Sequence, residues 1–272
     1  MVTKQDFQDA LGRLGVVPGD AILTHSSFKS LGPCENGADT VVSAMLDTVG
    51  PEGTVIFPTL CQKDWEHVYE NWHMDAPSDI GYLTNYFRKL PGALRSNQAT
   101  HSVAAIGKQA EYLTCTHGET GRRYGIFGDT PFSADSPWQK MYEMDVKVIF
   151  LGCSIRSCTF RHLAEYIVID EYLKKAEKSP DYAALKDEVW DYNRWERRGV
   201  WLHIVSLNLE KILEAEGKLK RTTCGDADLL LLSSRDFVDL SLACMREKRL
   251  EALSSYHKLD ESLDWMRRIE AL

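Results

Sequence analysis

Two short apolar runs with a helical stretch between them limit the fold of this 272-residue chain more than any other feature. Ala21-Ile22-Leu23-Thr24-His25 follows the turn Pro18-Gly19-Asp20, and Thr54 to Phe57 follows the turn Pro51-Glu52-Gly53. Both read as short buried strands. Gly37 to Val49, between them, reads as a helix. Strands joined through a helix pair in parallel by a crossover, not as a hairpin. A third apolar run, Val146 to Leu151, leads through the loop Gly152 to Ser157 into another helix start. The expected class is α/β, with mixed sheets layered with helices.

The remaining elements fit that class. Thr3 and Asp6 resemble a capping box opening a helix to Leu14, with Phe7, Leu11 and Leu14 on one face. Ile80 to Leu90 reads as a helix closed by Pro91-Gly92, and Val103 to Ile106 as a strand. Gly118 to Ala134 reads as loop. Ser136 caps a helix over Pro137 to Glu143, with proline at its first position. Later helices are expected from Thr159 to Lys175, at Leu207 to Glu216, Arg235 to Arg246 and Asp260 to Ile269. Strands are expected at Lys218 to Thr223 and Leu229 to Leu232, joined by Cys224-Gly225-Asp226. With no internal repeat, the chain reads as one domain over residues 1–272. A charged excursion at about 177–198 carries Trp190 and Trp195, and linkers lack such large aromatics.

The chemistry centres on Cys158-Thr159-Phe160-Arg161-His162-Leu163-Ala164-Glu165-Tyr166. Thr159 suits an N-cap, because its hydroxyl can accept an orphan backbone N–H. His162 then falls in the first turn, and Glu165, three residues on, shares its face. A carboxylate there takes the proton of one ring nitrogen and leaves the other as a base. By spacing alone a structural ion pair is the commoner meaning of such a pattern. His25-Ser26-Ser27-Phe28-Lys29-Ser30-Leu31-Gly32 lies at the carboxyl end of the first strand, where ligands gather in open α/β sheets. Ahead of the Val103 strand lie Arg95, Ser96, Asn97, Gln98, Thr100, His101 and Ser102, groups able to bind phosphates or amides of a cofactor. No Walker sequence or Gly-x-Gly-x-x-Gly accompanies them. Thr59 to Ser78 interleaves Asp64, Glu66 and Asp75 with Trp65, Tyr69 and Trp72, and Asp79 follows. Such a loop can wall a pocket for a cation or simply pack its rings on the core.

The formal charge of −8 argues against nucleic acid or anionic membrane as partner and suits a cationic small molecule. The seven cysteines show no C-x-x-C, and no run of 18 apolar residues occurs. Reduced thiols, a cytoplasmic location and no membrane span are expected.

In order and spacing, the chain resembles the aminoglycoside 3-N-acetyltransferase family. The resemblance is carried by His25 to Gly32, Val49-Gly50-Pro51-Glu52-Gly53-Thr54, Pro58-Thr59, and Phe87-Arg88 through Pro91-Gly92 to Leu94-Arg95-Ser96. It continues through Thr100 to Gly107, Ser136-Pro137, Val148 to Gly152 and His162-Leu163-Ala164-Glu165-Tyr166. Gly225 and the helix containing Leu240 extend it almost to the end. The resemblance implies an α/β fold distinct from the splayed-sheet acetyltransferases, acetyl-CoA as co-substrate with no metal, and an amine of a sugar antibiotic as acceptor. It implies His162 as general base with Glu165 as its partner. It places the coenzyme along Ser26, Ser27, Phe28 and Lys29 and along Thr100, His101, Ser102 and Val103. The acids Asp64, Glu66, Asp75 and Asp79 are the expected acceptor contacts.

Three departures bear on the acceptor. Arg161 stands where the family is usually apolar, Cys158 where it often has Asn, and the loop after Thr59 is unusually aromatic. A guanidinium beside the base would repel a polycation, so a different amine is one alternative. A metal-dependent hydrolase using His162, Glu165 and His101 is another, with a thin ligand set. A coenzyme-binding protein without catalysis is a third. The oxyanion of an acetyl transfer would need a donor such as a backbone N–H, Thr159 or Ser102.

Overall fold

The computed structural model describes residues 1–64, 67–117, 131–190, 202–253 and 259–272. Its strands are β1 (Ala21–Ser26), β2 (Thr54–Pro58), β3 (Leu94–Arg95), β4 (Val103–Gly107), β5 (Lys147–Leu151), β6 (Lys220–Cys224) and β7 (Ala227–Ser233). They form a seven-stranded sheet in the order β3-β4-β2-β1-β5-β7-β6. β1 runs parallel to both β2 and β5, while β4 is antiparallel to β2 and β7 to β5. The parallel crossover expected from the first two apolar runs is present. The short strand β3 has no apolar pattern of its own, and the sequence does not announce it.

Helices α1 (Lys4–Leu14), α2 (Ala38–Val49), α3 (Val68–Asn71), α4 (Tyr82–Phe87), α5 (Ala110–Thr114) and α6 (Pro137–Glu143) precede β5. After it come α7 (Phe160–Ala176), α8 (Tyr182–Trp190), α9 (Ser206–Ala215), α10 (Ser234–Arg246) and α11 (Leu259–Glu270). The strands alternate between two cores, as a period of two requires. Ile22, Val55, Phe57 and Ile149 pack with Phe7, Leu11, Val41 and Phe87. Leu23, Ile56, Val148 and Phe150 pack on the other face with Trp138, Phe160, Leu163 and Phe237. The central strands are therefore buried on both faces, which is why they read as continuous apolar runs.

Local chemistry sets several ends. Thr3 and Asp6 form the capping box of α1, and Ser136 caps α6 through the Gln139 N–H. The charged excursion resolves partly into α8, whose Leu185 and Val189 are buried. The indole of Trp265 donates to the Leu185 carbonyl at 2.9 Å. Expectations for residues 118–130 and 191–198 lie outside the described residues. Among the described residues no helix is long and apolar enough to cross a membrane.

Candidate active site

The parallel strands β1, β2 and β5 end on one edge of the sheet, at Ser26, Pro58 and Leu151. Because β4 opposes β2 with Val103 against Pro58, His101 reaches that same edge from the opposite chain direction. The loop after β5 passes close to the His25–Gly32 loop. Gly152 has φ +61, and a Cβ on it would lie 2.5 Å from the Ser30 Cβ, so only glycine fits. A 3-10 turn, Ile155–Ser157, then delivers the chain into α7. These segments enclose a cavity of about 270 Å³, lined among others by His25, Ser26, Gln62, His101, Thr159 and His162. That is below the roughly 300–1,000 Å³ of sites that engulf a drug-sized molecule. It suits the reacting ends of larger molecules.

His162 projects from the first turn of α7. Its side chain is 17% exposed, and Nδ1 lies 2.8 Å from Oε2 of the fully buried Glu165. The other carboxylate oxygen accepts the Ile204 N–H at 3.0 Å, and His203 Nδ1 stands 3.5 Å from it. Glu165 is thus surrounded by donors. Burial acts to raise its pKa, but His162 and His203 outweigh burial and hold it well below the usual carboxylate value. His162 itself lies below the ordinary imidazole value, chiefly through burial. Glu165 opposes that shift and Arg161 adds to it. The pair is therefore a neutral imidazole backed by a carboxylate at neutral pH, with Nδ1–H donated to Glu165 and a lone pair on Nε2. Arg161 Nε donates to that Nε2 at 3.3 Å.

Thr159 occupies the N-cap position of α7, but its φ of −69° and ψ of −22° are already helical and its hydroxyl makes no cap bond. The expected cap is absent because the preceding 3-10 turn feeds the helix directly. His162 N–H bonds the Thr159 carbonyl at 3.0 Å instead. Thr159 is among the residues that line the cavity.

The expected coenzyme stretches divide. Ser26 and His101 line the cavity. The Ser27 hydroxyl accepts from Ser30, Phe28 lies against Tyr82 with ring centroids 5.3 Å apart, and Lys29 is exposed. His101 is buried, its Nδ1 2.8 Å from the Thr100 hydroxyl and its ring 5.9 Å from that of His162. Burial pushes it well below the usual histidine value, with His162 adding to the effect. Ser102 and Val103 are wholly buried. The Ser102 hydroxyl is taken by Thr59 at 2.8 Å and by Arg95 at 3.2 Å.

The acids do not gather at the cavity. Asp64 is 58% exposed and faces His67 at 3.1 Å. Asp79 accepts the Lys63 N–H at 2.7 Å and so anchors the loop. Asp75 is exposed, and Glu66 lies outside the described residues. Among the described lining residues none is a carboxylate, whereas Arg156 and Arg161 both contribute. The described acids of the loop turn to its own backbone, to a neighbouring side chain and to solvent, which a charge count does not reveal. Sequence reasoning missed His203, and it placed His25 in a ligand-gathering loop without giving it a role. His203 lies far beyond Glu165 in the chain, so no local spacing marks it. His25 Nε2 is buried without a hydrogen-bond partner, and burial takes its pKa to about 4. Among the described residues no group of three or more His, Cys, Asp or Glu could hold a metal ion.

A mixed sheet with a buried His–Glu pair at the carboxyl edge of its parallel strands defines an α/β protein equipped to move a proton. The chain belongs to the family described as aminoglycoside 3-N-acetyltransferase, which matches residues 23–246. An aminoglycoside N(3)-acetyltransferase III of Salmonella sp. is 33% identical over 184 residues. That match spans 61% of this chain and 61% of the Salmonella protein. Among solved structures, a histidine-to-alanine variant of aminoglycoside acetyltransferase AAC(3)-IVa in complex with a gentamicin superposes with a TM-score of 0.67. It is 26% identical, covering 93% of this chain and 92% of that one. The AAC-IIIb binary complex with CoASH shares the fold, with a TM-score of 0.68 at 22% identity over 90% of this chain and 97% of that one.

Proposed function

We propose that this chain transfers acetyl from acetyl-CoA to an amine of an aminoglycoside-type antibiotic, at the 3-amino position by family resemblance, with His162 as general base. The observation that carries this is the 2.8 Å pair of His162 and buried Glu165, with His162 at the cavity. Family membership supplies donor and acceptor class. The CoASH bound to AAC-IIIb and the gentamicin bound to the AAC(3)-IVa variant support the same assignment. The acting unit is the whole chain, 1–272, as one cytoplasmic domain without a metal.

An amine is mostly protonated at neutral pH and must lose a proton to attack. In the proposed step the amine nitrogen bonds to the thioester carbonyl carbon, and its proton passes to His162 Nε2. Glu165 stabilises the imidazolium that forms. Collapse of the tetrahedral intermediate breaks the carbon–sulfur bond, and the proton leaves with the thiol of CoA. Of the two hydroxyls considered for the oxyanion, Ser102 is committed to Thr59 and Arg95, while Thr159 faces the cavity. Of the two hydroxyls Thr159 is therefore the candidate donor, beside a backbone N–H. Covalent catalysis by the neighbouring Cys158 is disfavoured, because burial pushes that thiol up to about 12. Ser26 and His101 are the assigned contacts nearest the thioester.

The test is thiol release from acetyl-CoA over a panel of aminoglycosides and simple amines, with a chelator present. Wild type should turn over aminoglycosides, and His162→Ala should lose about a hundredfold or more of that rate. Near wild-type turnover by a folded His162→Ala protein would overturn the assignment of the base. Turnover confined to neutral or anionic amines would overturn that of the acceptor.

A further inference from the structure

We infer that His203 is a positioning residue for the base, acting through Glu165 to set how strongly His162 holds its proton. The inference rests on His162 being the base. A carboxylate with no exposed surface does not sit between two imidazoles by default, since an ion taken out of water needs several donors to offset the cost. Here each oxygen has its own. Oε2 faces His162 Nδ1 at 2.8 Å, and Oε1 faces His203 Nδ1 at 3.5 Å and the Ile204 N–H at 3.0 Å. His203 and Ile204 come from a segment distant in sequence and fixed on its far side. Ile204 pairs with Leu253, and the Val205 N–H bonds the Ala252 carbonyl at 2.9 Å. The side chain of His203 is 12% exposed. That backbone pairing holds it against the carboxylate.

The consequence follows from hydrogen-bond balance. A donor on Oε1 withdraws electron density from the carboxylate and makes Oε2 a weaker acceptor for the His162 Nδ1 proton. Without His203, Glu165 binds that proton more tightly and the His162 imidazolium becomes more stable. Among the described residues, the charged and titratable groups facing His162 are Glu165, Arg161, His101 and His203. Of these, Glu165 raises its proton affinity, and His203 acts with Arg161 to lower it. Both routes give one sign: removal of His203 raises the pKa of His162. The ascending limb of the rate then moves to higher pH, because more base is protonated at a given pH.

The experiment uses full-length protein with ¹³Cε1-labelled histidine, the His162 resonance being identified by its loss in His162→Gln. His203→Leu should shift the His162 titration upward by about half a unit or more, since a polar contact to the Glu165 carboxylate is being removed. The acetyl-transfer limb should follow it. His203→Asn, whose amide can donate from the position of Nδ1, should restore both toward wild type. Should the leucine variant fail to fold, His203→Ser replaces it, being too short to reach Glu165. An unmoved His162 titration in a folded removal variant, or equal shifts in the removal and asparagine variants, would overturn the inference. The resonance reads His162 whether or not it is the base. Loss of the catalytic assignment through an active His162→Ala protein is therefore seen separately.

Discussion

At the scale of single residues, the contact between Arg161 and His162 places a fixed positive charge at the cavity beside the proposed base. The guanidinium donates to the Nε2 lone pair that takes the acceptor's proton in the proposed step, and in that step it competes with the amine. Its charge also helps to hold the imidazole below its ordinary pKa, which keeps the base neutral at lower pH. These effects oppose each other in rate, and one variant separates them. Arg161→Met should lower KM for polycationic acceptors several-fold and for monoamines less, because a like charge near the cavity is removed. It should also shift the ascending limb of kcat/KM upward in pH. Glu165→Gln should shift the limb the other way, since the carboxylate is what raises the His162 pKa. Steady-state kinetics over about pH 5.5–8.5, a range that brackets the imidazole value, reads both. Equal changes in KM for monoamines and polyamines would show that Arg161 does not discriminate by charge.

At the scale of elements, much of the frame was legible because it is written in local chemistry. Capping residues, Pro-Gly turns and buried apolar runs mark α1, α6, β1, β2 and β5 within a residue or two. What was illegible depends on distant partners. The stretch around Arg95 looks like an anion site by composition. In the folded chain the guanidinium donates to the carbonyls of Met74 at 2.8 Å, Ala76 at 2.6 Å and Thr59 at 2.8 Å. It clamps the loop after β2 to β3, and no spacing rule announces a side chain that bonds backbone 19 to 36 residues away. The same holds for His203, which the fold brings to Glu165. Arg95→Met should destabilise the protein by about 2–4 kcal/mol, because three carbonyls, those of buried Thr59 and Ala76 among them, lose a charged donor at once. Urea midpoints read the change, and Arg95→Lys should recover only part of it, since an ammonium cannot span the same set of acceptors. A variant as stable as wild type would remove the clamp from the account of this loop.

At the scale of the whole molecule, the acidic total misleads about the site and the buried histidines explain more. The −8 charge suited a cationic ligand and Asp64, Glu66, Asp75 and Asp79 were its expected contacts, yet the described lining is cationic and imidazole-rich. Buried histidines, at the cavity and away from it, tie stability to pH. Burial lowers His25 to about 4 and His117 to about 3, against 6.5 for an unburied imidazole. Below pH 6.5 the unfolded chain takes up protons at both positions while the folded chain does not. Stability is therefore present in full above the unfolded value and is lost progressively as pH falls toward the folded ones. Each group contributes up to about 1.4 kcal/mol per pH unit within that window, so moving from pH 7 to pH 5 should cost roughly 3–4 kcal/mol from these two. His101 and His162, also lowered by burial, act in the same sense. Glu165 adds little over that interval, because its carboxylate stays ionised in the folded chain and mostly so in the unfolded one, and it enters at lower pH. Urea unfolding at pH 7 and pH 5 measures the loss directly. His117 bonds Ser96 at 2.8 Å and the Pro131 carbonyl at 3.0 Å, so its replacement confounds packing with titration. His25 is the cleaner probe, with an unpartnered Nε2 and a ring stacked 5.4 Å from Phe150. His25→Phe keeps that stacking and removes the titrating group, and it should reduce the loss between the two pH values by roughly 1.5–2 kcal/mol. A His25→Phe protein with the wild-type slope would place the acid sensitivity elsewhere in the chain.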